Sequence, residues 1–291
     1  MTSESVAVPP VTPRVHVPAG GIRAELRAIK IVWHREWLRF LRDRPRIAAA
    51  FVQPLLFLFV LGTGLSRIAS AGTHGVNLRT FVYPGVLAMS VLFTAIFSAA
   101  SVVWDREFGF LREMLVAPVS RGSIVVGKCL GGASVAAFQG LLVIMLAGLV
   151  DVPYSPVMII EVFAMQVLLA FTLTAFGVML AVRIKQIQSF MAITQMLLMP
   201  MFFISGALFP VAGLPVWLTI LNRVDPVTYA VDPIRHTVFA HLQISDAARH
   251  ALNPGVTWGS WHLPVLFEVA IVAAIGFAML GVATALFSRD G

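Results

Sequence analysis

Six stretches of the chain run apolar for about twenty residues with no lysine or arginine inside them: 47–65, 81–103, 130–150, 157–182, 190–209 and 264–287. Each approaches the ~20 residues that a helix needs to cross a hydrocarbon core. Lipid offers the backbone no hydrogen-bond partners, so such stretches must close their own bonds as helices. The pattern predicts an all-α integral membrane protein with six transmembrane helices. Gln53–Pro54 and Met199–Pro200 put prolines inside spans one and five. A kink is expected at each, tolerated where a neighbouring helix re-satisfies the freed carbonyl.

Ahead of the first span the pattern is different. Ile22, Leu26, Ile29, Trp33, Trp37 and Phe40 recur at steps of three and four. Arg23, Arg27, Lys30, His34, Arg35, Arg39 and Arg42 occupy the flanks and far side. A Trp-bearing apolar stripe opposite basic residues predicts an N-terminal amphipathic helix in the membrane surface, with packing on a soluble core as the alternative. Pro45 separates it from the first span. Residues 1–21, rich in Pro, Val, Thr and Gly, have no helical period and read as a disordered tail. No apolar core follows a short basic start there, so they do not read as a secretory signal.

Composition agrees with the pattern. Hydrophobic residues make up 58% and charged residues 12% of 291 positions, with a mean hydropathy of +0.88. A soluble domain carries roughly 25% charged residues, so much of this chain must face lipid. The chain reads as one transmembrane domain over 22–291, with little length left for a soluble enzyme. The single Cys129 excludes an intramolecular disulfide framework and a cysteine-rich metal site.

Charge sets the orientation. Of the 21 Lys and Arg residues, sixteen fall in 1–46, 104–129, 183–189 and 288–291, and five in the alternate loops. Basic residues concentrate on the cytoplasmic side, so both termini are expected inside. The cationic excess therefore reports topology rather than nucleic acid, which is not among the expected partners.

The loop between spans two and three carries the most specific chemistry. In 104–128, WDREFGFLREMLVAPVSRGSIVVGK, the residues Asp105, Arg106, Glu107, Arg112 and Glu113 alternate in sign along a predicted helix that Gly109 interrupts and Pro118 ends. Arg106 and Glu107 are adjacent and cannot simply pair across one turn. Two readings stand: a ridge that a soluble partner recognises, or a solvated loop held by local ion pairs. Glu25, on the surface helix, lies outside this ridge. Gly122–Cys129 nearly matches the phosphate-binding pattern G-x-x-x-x-G-K-[ST]. Cys129 lacks the hydroxyl that would hold Mg²⁺, and no strand precedes it. Gly127 and Gly131 read better as a close helix contact.

At these residues the chain resembles the permeases of ABC exporters of the type 2 membrane family. The resembling positions are Arg106, Glu107, Gly109, Leu111, Glu113, Leu115, Pro118, Val119, Arg121, Gly127 and Lys128. Tyr83-Pro84-Gly85 opens span two as the family's Pro-Gly does, and Asn222–Arg235, NRVDPVTYAVDPIR, is similar to its Asn-Pro-Leu-Thr-Tyr-x-Val-Asp-x-x-Arg segment. Here an Arg-Val-Asp insertion precedes Pro226, and Val227 replaces Leu. The resemblance covers essentially 22–287 and is strongest to the daunorubicin-resistance type of drug and lipid exporter. It implies two permease chains side by side, identical or related, and a cytoplasmic coupling helix (with Arg112 in its ridge) that docks on an ATP-binding cassette subunit. ATP and Mg²⁺ would be bound by that partner, with no cofactor, catalytic residue or metal ligand in this chain.

The stretch 210–263, expected outside, is too long for a turn. Leu214–Leu221 and Pro226–His241 can each form a short helix, with Asp225 as an N-cap and Pro226 as first helical residue. These read as re-entrant pieces at the exit or as an amphipathic surface loop. The resemblance favours the former and puts Pro226, Tyr229, Asp232 and Arg235 at an outer gate. In spans four and five, flexible Met side chains and Phe202–Phe203 suit apolar ligands or plain packing. Gln195, Met199, Phe202 and Phe203 are the candidate substrate pathway, Gln195 bonding either a ligand or a neighbouring helix.

The reading that results is the membrane-spanning subunit of an exporter. It moves a hydrophobic drug, lipid or glycolipid, powered by a separate ATPase, in a bacterial plasma membrane with lipids around it. An ion-coupled secondary transporter is the alternative. It would place ionisable groups inside the membrane, and the six windows hold only Glu161 and Glu268 near their ends.

Overall fold

The computed structural model describes residues 21–64, 76–110, 114, 119–209, 215–258 and 261–289. All but the last residue of the expected tail 1–21 lies outside these. Among the described residues the helices are α1 (Ile22–Arg42), α2 (Arg44–Gly64), α3 (Leu78–Glu107), α4 (Arg121–Ile144) and α5 (Pro156–Arg183), then α6 (Ile187–Ile204), α7 (Val216–Val224), α8 (Thr228–Ala240), α9 (Asp246–Leu252) and α10 (Val265–Arg289). Six of them, α2 to α6 and α10, are long and apolar enough to cross a membrane. One feature departs from an all-helical chain: Thr257–Trp258 and Trp261–His262 form a two-residue antiparallel pair, too short to leave an alternating pattern.

Local chemistry sets the starts. Asp43 accepts from the Arg46 N–H at 3.2 Å with Pro45 in the first turn of α2, Asn77 caps α3, Ser120 caps α4 and Pro156 opens α5. Pro54 deprives Ala50 of its helical donor, and a π-turn over Phe57–Leu61 follows. Gln139 of α4 donates to that Ala50 carbonyl at 2.9 Å, the re-satisfaction by a neighbouring helix that the sequence demands.

Helix α3 is the axis of the bundle. Over its most apolar window 89% of it is buried, against 18%, 22% and 17% for α2, α6 and α10. The core around α3 joins α4, α5 and the inner faces of α6 and α10, and a second cluster packs the other end of α3 on α8 and the turn that follows α4.

Two differences from the sequence reading have physical causes. Helix α4 begins nine residues ahead of the 130–150 window and ends at Ile144, followed by a 3-10 turn over Ala147–Val150. The helix takes in Lys128, which an apolar window excludes, because its charge is matched by neighbours. Helix α1 has the expected bounds but packs lengthwise on α4 through Ala28, Val32, Glu36 and Phe40, a face that shares only Phe40 with the stripe read from sequence. A Cβ on Gly127 would come within 2.8 Å of Val32 Cβ, and one on Gly131 within 2.7 Å of Glu36 Cβ. The small-xxx-small pair is thus the seat of α1. Trp33 and Trp37 both donate their indole N–H to Ser134 Oγ, at 2.9 and 2.8 Å, while Ile22 and Leu26 stay exposed.

Candidate functional site

The α3–α4 loop is held at both ends by charged side chains. Ser101 and Asp105 lie one turn apart on α3, so both face Lys128 of α4. Lys128 Nζ donates to Asp105 Oδ2 at 2.5 Å, Ser101 Oγ at 3.1 Å and Glu36 Oε1 at 3.0 Å. Asp105, only 1% exposed, also accepts from Arg39 Nη2 at 2.9 Å and from Arg35. Three cations and two carboxylates from α1, α3 and α4 therefore form one node, with Lys128, Asp105 and Glu36 buried at its centre and Arg35 and Arg39 part-exposed at its edge. Removing the buried Lys128 would leave buried negative charge undercompensated, at a cost of up to roughly 3–5 kcal/mol, and the part-exposed arginines count for less.

The residues read as a ridge do something further. Arg106 Nη1 donates to the Val182 carbonyl at 2.5 Å and the Ile184 carbonyl at 3.4 Å, at the C-terminus of α5. Glu107 accepts from the Ile187 N–H at 2.9 Å, at the N-terminus of α6. A cation on a helix C-terminus and an anion on an N-terminus both match the helix dipoles. Adjacent residues of opposite sign thus hold the two ends of one turn, α5 to α6. Arg121 Nη1 donates to the Ser288 carbonyl at 3.0 Å, at the end of α10. Gly109 sits at φ 83°, where a side chain would be strained. Phe108 and Phe110 flank it, 70% and 53% exposed, and Val119 packs on the core. Leu111, Arg112, Glu113, Leu115 and Pro118 lie outside the described residues.

Glu25 lies outside the charged ridge, yet it reaches the far end of the loop. It accepts from the Ser120 N–H at 3.1 Å, from Ser120 Oγ at 2.7 Å and from Ser123 Oγ, so it clasps the first turn of α4. The Ser123 and Ser120 hydroxyls hold its carboxyl below the usual range. The near-match Gly122–Cys129 lies wholly inside α4, where no loop is free to wrap a phosphate.

At the other end of the bundle, the Asn222–Arg235 segment wraps the end of α6. Asn222 Nδ2 donates to the Ile204 carbonyl at 2.7 Å. Arg235, buried at 2% exposure, donates to the Gly206 and Ala207 carbonyls at 2.6 and 3.1 Å and stacks 5.1 Å from Phe81. Gly85 is needed there because a Cβ would sit 2.0 Å from the Ala207 oxygen. Tyr83 donates to the Val143 and Ile144 carbonyls ending α4. Tyr229 donates to the Arg223 carbonyl at 2.6 Å and accepts from the Trp258 indole at 3.1 Å. Asp225 is not the N-cap of α8, which starts at Thr228. It closes a tight turn by accepting from the Val227 N–H at 3.0 Å, with Pro226 half-buried inside that turn. Asp232 lies against the fully buried Glu268 of α10.

The candidate substrate residues divide. Gln195, Met199 and Phe203 share the exposed face of α6, whereas Phe202 turns inward, 6.1 Å from Phe57. Sequence reasoning missed Glu36, Arg35 and Arg39 as partners of the loop. The one signal was an acid, Glu36, lodged between Arg35 and Arg39 in the basic second half of the helix.

Residues 27–239 match the family described as ABC-2 type transporter. The putative transport permease ycf38 of Cyanophora paradoxa is 33% identical over 204 residues, covering 67% of this chain and 69% of that protein. The inner membrane transport permease YadH of Escherichia coli is 26% identical over 210 residues, 72% of this chain and 82% of that protein. The probable multidrug ABC transporter permease YbhR of the same organism is 27% identical over 207 residues, 70% of this chain and 52% of that protein.

Proposed function

The chain belongs to the ABC-2 type transporter family, and from that premise we propose that it is the export permease of a complex driven by a separate ATPase. The chain is a multi-pass membrane protein and the membrane subunit of an ABC transporter. Beyond that, we assign it a bacterial plasma membrane, cytoplasmic termini and a partner that supplies ATP and Mg²⁺. The cargo class is a hydrophobic drug, lipid or glycolipid. A multidrug permease among the relatives and the apolar faces of the spans support that assignment.

One observation carries the mechanism. The α3–α4 loop is fastened through Glu25 and the buried node to α1, through Arg106 and Glu107 to the α5–α6 turn, and through Arg121 to α10. A push on the loop is passed to four other elements at once. Closure of a bound ATPase supplies such a push, and the spans respond by exchanging inward- and outward-facing arrangements, each with its own contacts. The exposed Phe108 and Phe110 at the Gly109 bend are the docking point. The free faces of α2 and α6 accept a second permease chain, which places Gln195, Met199 and Phe203 at the seam between the two.

Reconstitution tests this. Vesicles holding the chain alone should neither hydrolyse ATP nor move an apolar dye, and adding the ATPase subunit should produce both. With Cys129 replaced by Ala, an impermeant thiol reagent should label Cys at Gln243 and spare Cys at Ser120 in intact cells. ATP turnover by the chain alone, or labelling of position 120 from outside, would refute the reading. The ion-coupled alternative has one observation in its favour, the carboxyls of Asp232 and Glu268 inside the fold. It requires dye movement by the chain alone under a pH gradient.

A further inference from the structure

On the flank of α1 that carries Trp33 and Trp37, an open groove of about 690 Å³ runs between α4, α5 and α10. Its floor is made of the buried alanines Ala133 and Ala137 of α4, and the exposed Ala164 of α5 lines its open side. Its walls are rings: Phe163, Phe171 and Phe277, with Trp37 at one edge. Small residues between large ones leave a slot suited to a narrow flexible chain, and its lining offers almost no polar atoms to any other ligand. Along α4 the slot runs from Leu130 to Leu141, ~16 Å at 1.5 Å per residue. That is about half the ~30 Å of hydrocarbon in a bilayer, the depth of one leaflet.

The same flank of α1 is cationic. Lys30 lies three residues before Trp33 and seven before Trp37, so the three share one face. Arg23, Arg27 and Lys30 are exposed and have no ion pair among the described residues. Arg35 and Arg39, on the other flank, are committed to Asp105, and Glu25 is committed to Ser120 and Ser123. In the N-terminal half of α1 the unpaired positive charge therefore lies with Lys30, Arg27 and Arg23, ahead of Trp33 and Trp37.

We infer that this groove binds one acyl chain of an anionic phospholipid from the leaflet on the α1 side, with the headgroup phosphate held by Lys30, Arg27 and Arg23. The inference rests on α4, α5 and α10 spanning the membrane, and not on ATP-driven export. Lipid retention is read on the chain without ATPase or cargo, so its failure is distinct from a failure of transport.

The test is native mass spectrometry of the purified full chain in micelles with equal phosphatidylglycerol and phosphatidylcholine. The expected result is one phosphatidylglycerol retained in preference to phosphatidylcholine. Ala164→Trp and Val167→Trp fill the slot from exposed positions, and each should lower retention at least fivefold with helical content unchanged. Lys30→Gln combined with Arg27→Gln should keep a lipid bound but abolish the preference for the anionic one. Equal retention of the two lipids by the unaltered chain would overturn the headgroup assignment. Undiminished retention in both Trp variants would overturn the site. A change of oligomeric state in those variants, with lipid unaffected, would show that a second copy of the chain occupies the groove.

Discussion

Lys128 and Asp105, on opposite sides of the α3–α4 loop, meet at 2.5 Å inside the protein. The pair fastens the mouth of the loop, and Glu36 of α1 closes the node from a third helix. Lys128→Met should therefore leave Glu36 without its close partner and Asp105 with Arg39 and Arg35 alone, with a loss of up to roughly 3–5 kcal/mol. Lys128→Arg should lose less, since it keeps the charge. Thermal unfolding in detergent, read on the single variants and on Lys128→Met with Glu36→Gln, checks this. Additive losses in the double variant would mean that the two side chains do not share one node.

Glu25 and Glu107 make a second, comparative test. Both carboxylates accept from the start of a helix, Glu25 at α4 and Glu107 at α6. Glu107→Ala should fray the first turn of α6, and loss of a capping acceptor typically costs ~1 kcal/mol. Glu25→Ala should fray α4 at Arg121–Ile124 and leave α6 unchanged. Hydrogen exchange of the two segments separates them. Protection that stays intact at both helix starts would show that these bonds do not form in the membrane.

The six apolar helices and the bounds of α1 were legible because each rests on a local period. Lengths of apolar sequence suffice for a helix that must bury its own backbone. The node was not legible in the same way. Lys128 stands against the Gly127–Gly131 seat of α1, and only the packing of Val32 and Glu36 into that seat reveals why a lysine is tolerated there. Arg106 and Glu107 illustrate the same limit. Their alternation in sign is visible in the chain, but the turn they hold lies some eighty residues away. In the stretch 210–263, α7 and α8 were legible as short helices, whereas α9 and the strand pair were not. The role of Arg235 as a clamp on the α6 carbonyls depends on a chain reversal that no periodicity encodes.

Asp225 gives a prediction in pH. Burial pushes its carboxyl up to about 7, with the Val227 N–H bond opposing, whereas an unfolded Asp titrates at about 3.9. Between those values the folded segment keeps a proton that the unfolded one has lost. The stability of 216–240 should therefore fall as pH rises through that interval and level off above it. Asp232, raised by burial as well, acts in the same direction. Asp225→Asn keeps the acceptor for Val227 and removes one titration, so it should flatten the pH dependence. Melting temperatures from pH 5 to 8 are the measurement, and an unchanged slope in Asp225→Asn would contradict the assignment.

The central claim is that the α3–α4 loop receives the thrust of a separate ATPase at its exposed bend. Phe108 and Phe110 are the residues to change, because they are exposed and lie outside the buried node. Phe108→Asp with Phe110→Asp should leave insertion, melting and the node intact. Co-purification of the ATPase with the permease at equal expression, measured together with dye export, is the decisive experiment. The account predicts that the double variant loses at least nine-tenths of both. Full association and full export in that variant would contradict it.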